Sequence, residues 1–150
     1  MRSHNADFRL EDRSLLQWVN EFGDGVNLQI LTLYPTFVLH QISNSLATRQ
    51  LIPNGPLQTD LVWTYMGFAD DTPEMTETRL MQTNLAGSAG LVSMEDATVC
   101  ETIRRGTGGA ADAMSFMEMG GKDLTGGGST KLSEKALRNF WHNYRRDLGL

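Results

Sequence analysis

From Val26 to Phe68 short apolar runs alternate with turn formers. Residues 28–34, 37–42, 46–52 and 57–68 are rich in β-branched, aromatic and leucine side chains, and Pro35, Ser43-Asn44-Ser45 and Pro53-Asn54-Gly55-Pro56 separate them. Runs and breakers of this kind predict strands, and connections so short require antiparallel neighbours. In the last run Leu57, Thr59, Leu61, Trp63 and Tyr65 alternate with Gln58, Asp60, Val62, Thr64 and Met66, so one face is the larger. The expectation is a curved antiparallel meander with one face on a core or cavity.

Beyond Phe68 the period changes. Asp71-Thr72-Pro73-Glu74 reads as a helix start, with Asp71 as the cap, an early proline and Glu74 reaching back to the cap. That helix should run to about Leu85 with Met75, Thr78, Met81 and Leu85 near one face. The small residues Ala86-Gly87-Ser88-Ala89-Gly90 interrupt it, and a second helix is expected from about Ser93 to Arg105, stopped by Gly106. Residues 106–128 hold 8 of the 15 glycines and read as a long flexible loop with a short helical turn around Ala113 to Met117. A phosphate cradle does not fit, because Lys122 is followed by Asp123 where a hydroxyl residue is needed. From about Thr130 to Leu148 the residues Leu132, Ala136, Leu137, Phe140, Trp141, Tyr144 and Leu148 recur at helical spacing. This amphipathic helix is expected to lie across the sheet, and the fold class is α+β.

Composition narrows the function classes. The length of 150 residues suits one domain with a real core. A net charge of −5 and no basic run beyond Arg104-Arg105 and Arg145-Arg146 argue against a nucleic-acid surface. No apolar stretch nears the roughly 20 residues that span a bilayer, and the start Met-Arg-Ser-His-Asn-Ala-Asp lacks the apolar run of a signal peptide. A cytoplasmic protein is the expectation. Cys100 is the single cysteine, which excludes an internal disulfide and any cluster or zinc site built on several thiolates. A bound metal would need mainly nitrogen and oxygen donors.

One acid breaks its helical stripe. Val92, Val99, Cys100 and Ile103 make an apolar face, and Asp96 occupies the position on it that calls for a hydrophobe. An ionised carboxylate taken from water costs several kcal/mol unless paired, hydrogen-bonded or bound to a cation. Two explanations remain open from spacing alone. Ser93 as an N-cap with Asp96 three residues on resembles a capping box; alternatively, Asp96 is a metal ligand reaching into a pocket.

The run Asn84-Leu85-Ala86-Gly87-Ser88-Ala89-Gly90-Leu91-Val92-Ser93-Met94-Glu95-Asp96 resembles the segment that supplies the carboxylate iron ligand in the large (α) subunits of aromatic-ring-hydroxylating Rieske oxygenases. The benzoate, anthranilate and terephthalate dioxygenase branch is the nearest in pattern. The resemblance continues through Leu33-Tyr34-Pro35-Thr36-Phe37-Val38-Leu39, Asn44-Ser45-Leu46-Ala47-Thr48-Arg49, Trp63-Thr64-Tyr65-Met66-Gly67-Phe68-Ala69-Asp70-Asp71 and Ala136-Leu137-Arg138-Asn139-Phe140-Trp141. It implies the carboxy-terminal portion of a helix-grip (Bet v 1-like) catalytic domain. It also implies mononuclear Fe(II) held by two histidines and one aspartate, with positions open for dioxygen. Asp96 falls on that aspartate, while Ala86 and Val92 fall on substrate-pocket positions.

The same resemblance implies what this chain lacks. The family's Asp-x-x-His-x-x-x-x-His segment and the Cys-x-His and Cys-x-x-His pair of its Rieske 2Fe-2S cluster belong upstream, so 1–150 is expected to be a partial catalytic domain, inactive alone. The implied parent activity is insertion of O2 into an aromatic carboxylate-type substrate. The implied partners are an electron-transfer reductase or ferredoxin, other α subunits and, in some members, a β subunit. The alternatives are a metal-free helix-grip module for a small aromatic ligand, or an inactive remnant with an open sheet edge and an uncovered face. Of the histidines, His4 and His142 sit in polar surroundings. His40, in the strand with Val38 and Ile42, reads as a hydrogen-bonded core residue rather than a ligand. Arg49 could clamp a carboxylate but reads as a solvent or subunit-contact arginine.

Overall fold

The computed structural model describes residues 9–55, 57–110, 112–114, 124 and 134–150. A short 3-10 turn (Arg13–Leu16) precedes four strands, β1 (Leu28–Leu33), β2 (Phe37–Ile42), β3 (Ser45–Pro53) and β4 (Thr59–Met66). Three helices follow, α1 (Pro73–Ala86), α2 (Leu91–Gly108) and α3 (Lys135–Leu148). The chain divides into two compact units, Met1–Ile103 and Arg104–Leu150.

The strands form the expected antiparallel meander in the order β1-β2-β3-β4. Ser43 and Asn44 alone join β2 to β3, where Ile42 pairs with Ser45. Ser43 takes a left-handed backbone with φ of 54°, as the first residue of a type II′ hairpin does. The β1–β2 connection contains a cis Tyr34-Pro35 bond. Register places His40 beside Ala47 and Ala47 beside Tyr65, and Val38 beside Arg49 and Arg49 beside Trp63. These residues therefore share one face with Leu61, and Leu31, Leu39, Leu46 and Met66 share the other.

Burial in this sheet is largely polar. Among the described residues the buried apolar side chains are Ala47 and Ala86, whereas His40, Asn44, Ser45, Arg79 and Gln82 are buried polar ones. Every residue of β1 is exposed, and Leu28, Ile30, Leu31, Leu33, Leu61 and Val62 show large apolar areas on both faces.

The first helix starts one residue later than its sequence suggests. Thr72 is the N-cap, its hydroxyl accepting from the Met75 amide at 3.2 Å, because Asp71 is engaged elsewhere by Arg79. The buried stripe of α1 is Arg79, Gln82 and Ala86; Met75, Thr78, Met81 and Leu85 are only half-buried. Arg79 uses all five of its donors. It forks onto Asp71 at 2.8 Å twice, reaches both oxygens of Glu21 and donates to the Asn44 carbonyl at 2.6 Å. Gln82 accepts from the Asn44 amide at 2.7 Å and donates to the Gln17 carbonyl. Asn44 bonds both backbone groups of Val19. The β2–β3 hairpin, the amino-terminal segment and α1 are thus tied through polar side chains.

The link from α1 to α2 is compact. Gly90 accepts from the Met94 amide and so sits just before α2, which starts at Leu91, two residues ahead of the expected Ser93, and continues through Gly106 to Gly108. A Cβ on Gly87 would collide with the Thr83 carbonyl and lie 2.7 Å from the Tyr65 hydroxyl; one on Gly90 would lie 2.7 Å from three backbone atoms. Gly87→Ala is accordingly expected to destabilise the protein by about 1–3 kcal/mol, read as a lower denaturant midpoint.

In the second unit, α3 ends at Gly149, whose left-handed backbone lets its amide bond the Arg145 and Arg146 carbonyls. Phe140, Trp141 and Tyr144 form one aromatic cluster. Residues 130–133 of the expected last helix, and most of the helical turn expected around Ala113 to Met117, lie outside the described residues.

Candidate functional site

Three side chains on one sheet face converge. The Arg49 guanidinium carbon lies 4.9 Å from the centre of the Trp63 ring, directly across the β3–β4 ladder. His40 meets the same indole edge-on at 5.4 Å, and Trp63 stacks on Tyr65 at 6.1 Å. Ala47 makes this possible: it lies opposite both His40 and Tyr65, and its methyl leaves the diagonal open for the imidazole to reach Trp63.

Arg49 and His40 are incompletely satisfied. Arg49 Nε and both nitrogens of His40 are buried without a hydrogen-bond partner, and His40 is only 2 % exposed. Burial, and secondly the Arg49 charge, pull the His40 imidazole down to about 4. Burial likewise lowers Arg49 from its ordinary value, with the Asp96 carboxylate pulling the other way. Asp96 therefore lies within electrostatic reach of Arg49. One expectation changes: His40 is a core residue without hydrogen bonds, while Arg49 is half-buried with its Nε enclosed.

The neutral buried imidazole has a pH signature. An unfolded histidine binds a proton near pH 6.5, whereas folded His40 does so only near 4. Between those values the unfolded state binds more protons, so stability falls as pH drops from about 6.5 to about 4, by up to roughly 3 kcal/mol, and this contribution then levels off. His40→Phe should flatten that window in urea titrations at stepped pH. Asp71, held below the carboxylate range chiefly by its hydrogen bonds from Arg79, acts in a lower window. Its contribution is complete above the unfolded carboxylate value and is lost as pH falls through the depressed one.

Asp96 lies in the second turn of α2 and is exposed. The desolvation cost inferred from its stripe does not arise, since Val92, Val99, Cys100 and Ile103 are exposed as well. The capping alternative also fails. Helix α2 begins at Leu91, which puts Ser93 inside the first turn and Asp96 beyond the end of the helix where a cap acts. Val92 and Asp96 share a helix face at i and i+4, whereas Ala86 is buried at the end of α1. Tyr65 pins the intervening link to the sheet, its hydroxyl accepting from the Ser88 amide at 2.7 Å.

Elsewhere in the first unit, a cleft of about 360 Å3 is lined by Phe22, Leu31, Leu39, Leu46, Met66 and Phe68. By register Leu31, Leu39, Leu46 and Met66 belong to the face opposite Arg49, and His40, from the Arg49 face, also lines this cleft. A second cleft of about 520 Å3 lies along Tyr65, Phe68, Arg79 and Leu80. Among the described residues no three His, Cys, Asp or Glu side chains converge as a metal site would need, and no helix is long and apolar enough to cross a membrane.

Comparison of the whole chain with known proteins gives its family. Residues 4–149 match the family described as the ring hydroxylating alpha subunit (catalytic domain), and the chain belongs to that family. It is 48 % identical over 149 residues to terephthalate 1,2-dioxygenase, terminal oxygenase component subunit alpha 2, of Comamonas sp, covering 99 % of this chain and 36 % of that protein. It is 39 % identical to the anthranilate 1,2-dioxygenase large subunit of Burkholderia cepacia, covering 99 % and 35 %. Identity is 34 % to the salicylate 5-hydroxylase large oxygenase component of Ralstonia sp, covering 98 % and 35 %. The chain thus spans about a third of the length of these relatives.

Proposed function

We propose that this chain is the carboxy-terminal part of a ring-hydroxylating oxygenase catalytic domain that acts on an aromatic carboxylate, with Arg49 holding the carboxylate and Asp96 supplying one iron ligand. The observation that carries the substrate class is the buried, unpartnered Nε of Arg49 over the Trp63 ring. A guanidinium held in this way offers a fork to a carboxylate, and the indole beside it offers a flat apolar surface to an arene. The named relatives act on terephthalate, anthranilate and salicylate, each an aromatic carboxylate.

Iron is supported by family membership and by the chemistry of one donor. The described residues do not make an iron site by themselves; Asp96 offers a single carboxylate, and two imidazoles would come from protein outside this chain. With Asp96 as one of its ligands, Fe(II) would supply the reactivity toward dioxygen when bound. The residues here orient the substrate: Arg49 fixes its carboxylate, Trp63 faces its ring, and Ala86 and Val92 are offered as further pocket positions. Two relatives carry the words oxygenase component in their names, which supports an electron-transfer reductase or ferredoxin as partner. Assembly with other α subunits, or with a β subunit, and a cytoplasmic location complete the proposal.

One second reading is a metal-free module binding a small aromatic ligand, in keeping with the finding that among the described residues no three donors converge. Expression with and without the coding sequence directly upstream separates the two. The oxygenase reading expects bound iron and carboxylate-dependent oxygen uptake only with the upstream part; absence of an encoded histidine pair there would sink it. Within the active protein, Arg49→Met should raise KM for benzoate-class substrates by about 100-fold, equivalent to about 3 kcal/mol, with kcat much less affected. An unchanged KM would remove Arg49 from the substrate site.

A further inference from the structure

We infer that His40 is a substrate-contacting, specificity-determining residue of this site, its neutral imidazole donating a hydrogen bond to the same carboxylate that Arg49 holds. This rests on the reading of Arg49 given above. The two residues sit on one sheet face, on neighbouring strands, in adjacent rows of the ladder. Both touch Trp63, Arg49 from above its ring at 4.9 Å and His40 at its edge at 5.4 Å.

A buried imidazole with neither nitrogen bonded carries an uncompensated desolvation cost. Its N–H donor and lone pair are enclosed, with 2 % of the residue exposed, and Arg49, the cation whose charge it feels, cannot accept a hydrogen bond. An anionic oxygen placed between His40 and Arg49 resolves both deficits, accepting from the imidazole N–H while its partner oxygen takes the guanidinium. The neutral form suits this role: Arg49 supplies the charge, and His40 adds a directional donor without adding a second cation beside the first. Ala47, fully buried between His40 and Tyr65, puts only a methyl group between them. The pair selects a carboxylate over a neutral substituent of the same shape, because the neutral group cannot satisfy both donors.

The test is calorimetric binding of benzoate and of benzamide, its neutral near-isostere, to the full-length protein and three variants. His40→Phe should weaken benzoate binding by about 10-fold and leave benzamide binding within about twofold, as expected for one lost hydrogen bond to a charged group. His40→Gln, which restores an N–H donor, should recover most of the loss and covers the case in which the phenylalanine variant does not fold. Arg49→Met is the control for the underlying reading. If Arg49→Met weakens benzoate while His40→Phe and His40→Gln both match the parent, the His40 assignment is overturned and that of Arg49 stands. Should the parent bind no benzoate, or neither residue matter, both assignments fall. Equal losses for benzoate and benzamide in His40→Phe would make His40 a shape-filling residue and also overturn the inference.

Discussion

Asp96→Ala is expected to lower carboxylate-dependent oxygen uptake by at least ~10^3-fold, equivalent to about 4 kcal/mol in the barrier, while leaving the fold intact. The two halves of this expectation come from different observations. The first half rests on the proposal that Asp96 supplies the carboxylate ligand, because the loss of a ligand would remove the metal from its site. Its side chain is exposed in the interior of an 18-residue helix, where alanine is the best helix former, so circular dichroism and the denaturant midpoint should not fall. Combined loss of uptake and of stability would point to a structural role. Retained uptake would remove Asp96 from the site.

The largest expected effect on stability belongs to Arg79→Met. Arg79 is 5 % exposed and is held by Asp71, Glu21 and the Asn44 carbonyl; burial opposes its charge, but the Asp71 hydrogen bonds outweigh this and raise its pKa. Removing one member of a buried ion cluster strands its partners, a change that costs about 3–5 kcal/mol. Against a total stability of roughly 5–15 kcal/mol for a domain, that is a large fraction. Urea titration of parent and variant measures it directly. A difference under about 1 kcal/mol would mean that the cluster is no better than an exposed ion pair. Because α1 leads through Gly87 and Gly90 into the helix that carries Asp96, loosening this anchor should also reduce uptake.

The meander was legible because each strand is bounded by residues that force a turn, and the observed β2 coincides with its expected span. Helix ends were less so, for physical reasons. Asp71 has the residue type of a cap, but a guanidinium eight residues on recruits it and leaves the cap to Thr72. Gly106 has the residue type of a stop but lies within α2. The buried stripe of α1 escaped notice because Arg79 and Gln82 look like a solvated face; only the three-dimensional return of the β2–β3 turn and of the amino-terminal segment supplies their partners.

Site legibility divided in the same way. Asp96 stood out by its position and was assigned by resemblance, yet the geometry gives it a different setting, an exposed carboxylate near Arg49. Strand alternation could place His40 and Arg49 on one face. It could not show that Ala47 opens a path from the imidazole to Trp63, since that depends on which residues the ladder sets side by side.

Iron binding tests the central claim most directly. Equilibrium dialysis against radiolabelled Fe(II), on the protein expressed with its upstream coding sequence and on its Asp96→Ala variant, should show one exchangeable iron per polypeptide, beyond any cluster iron, in the parent and loss of that exchangeable iron in the variant. Equal iron in both proteins, or none in the parent, would contradict the account.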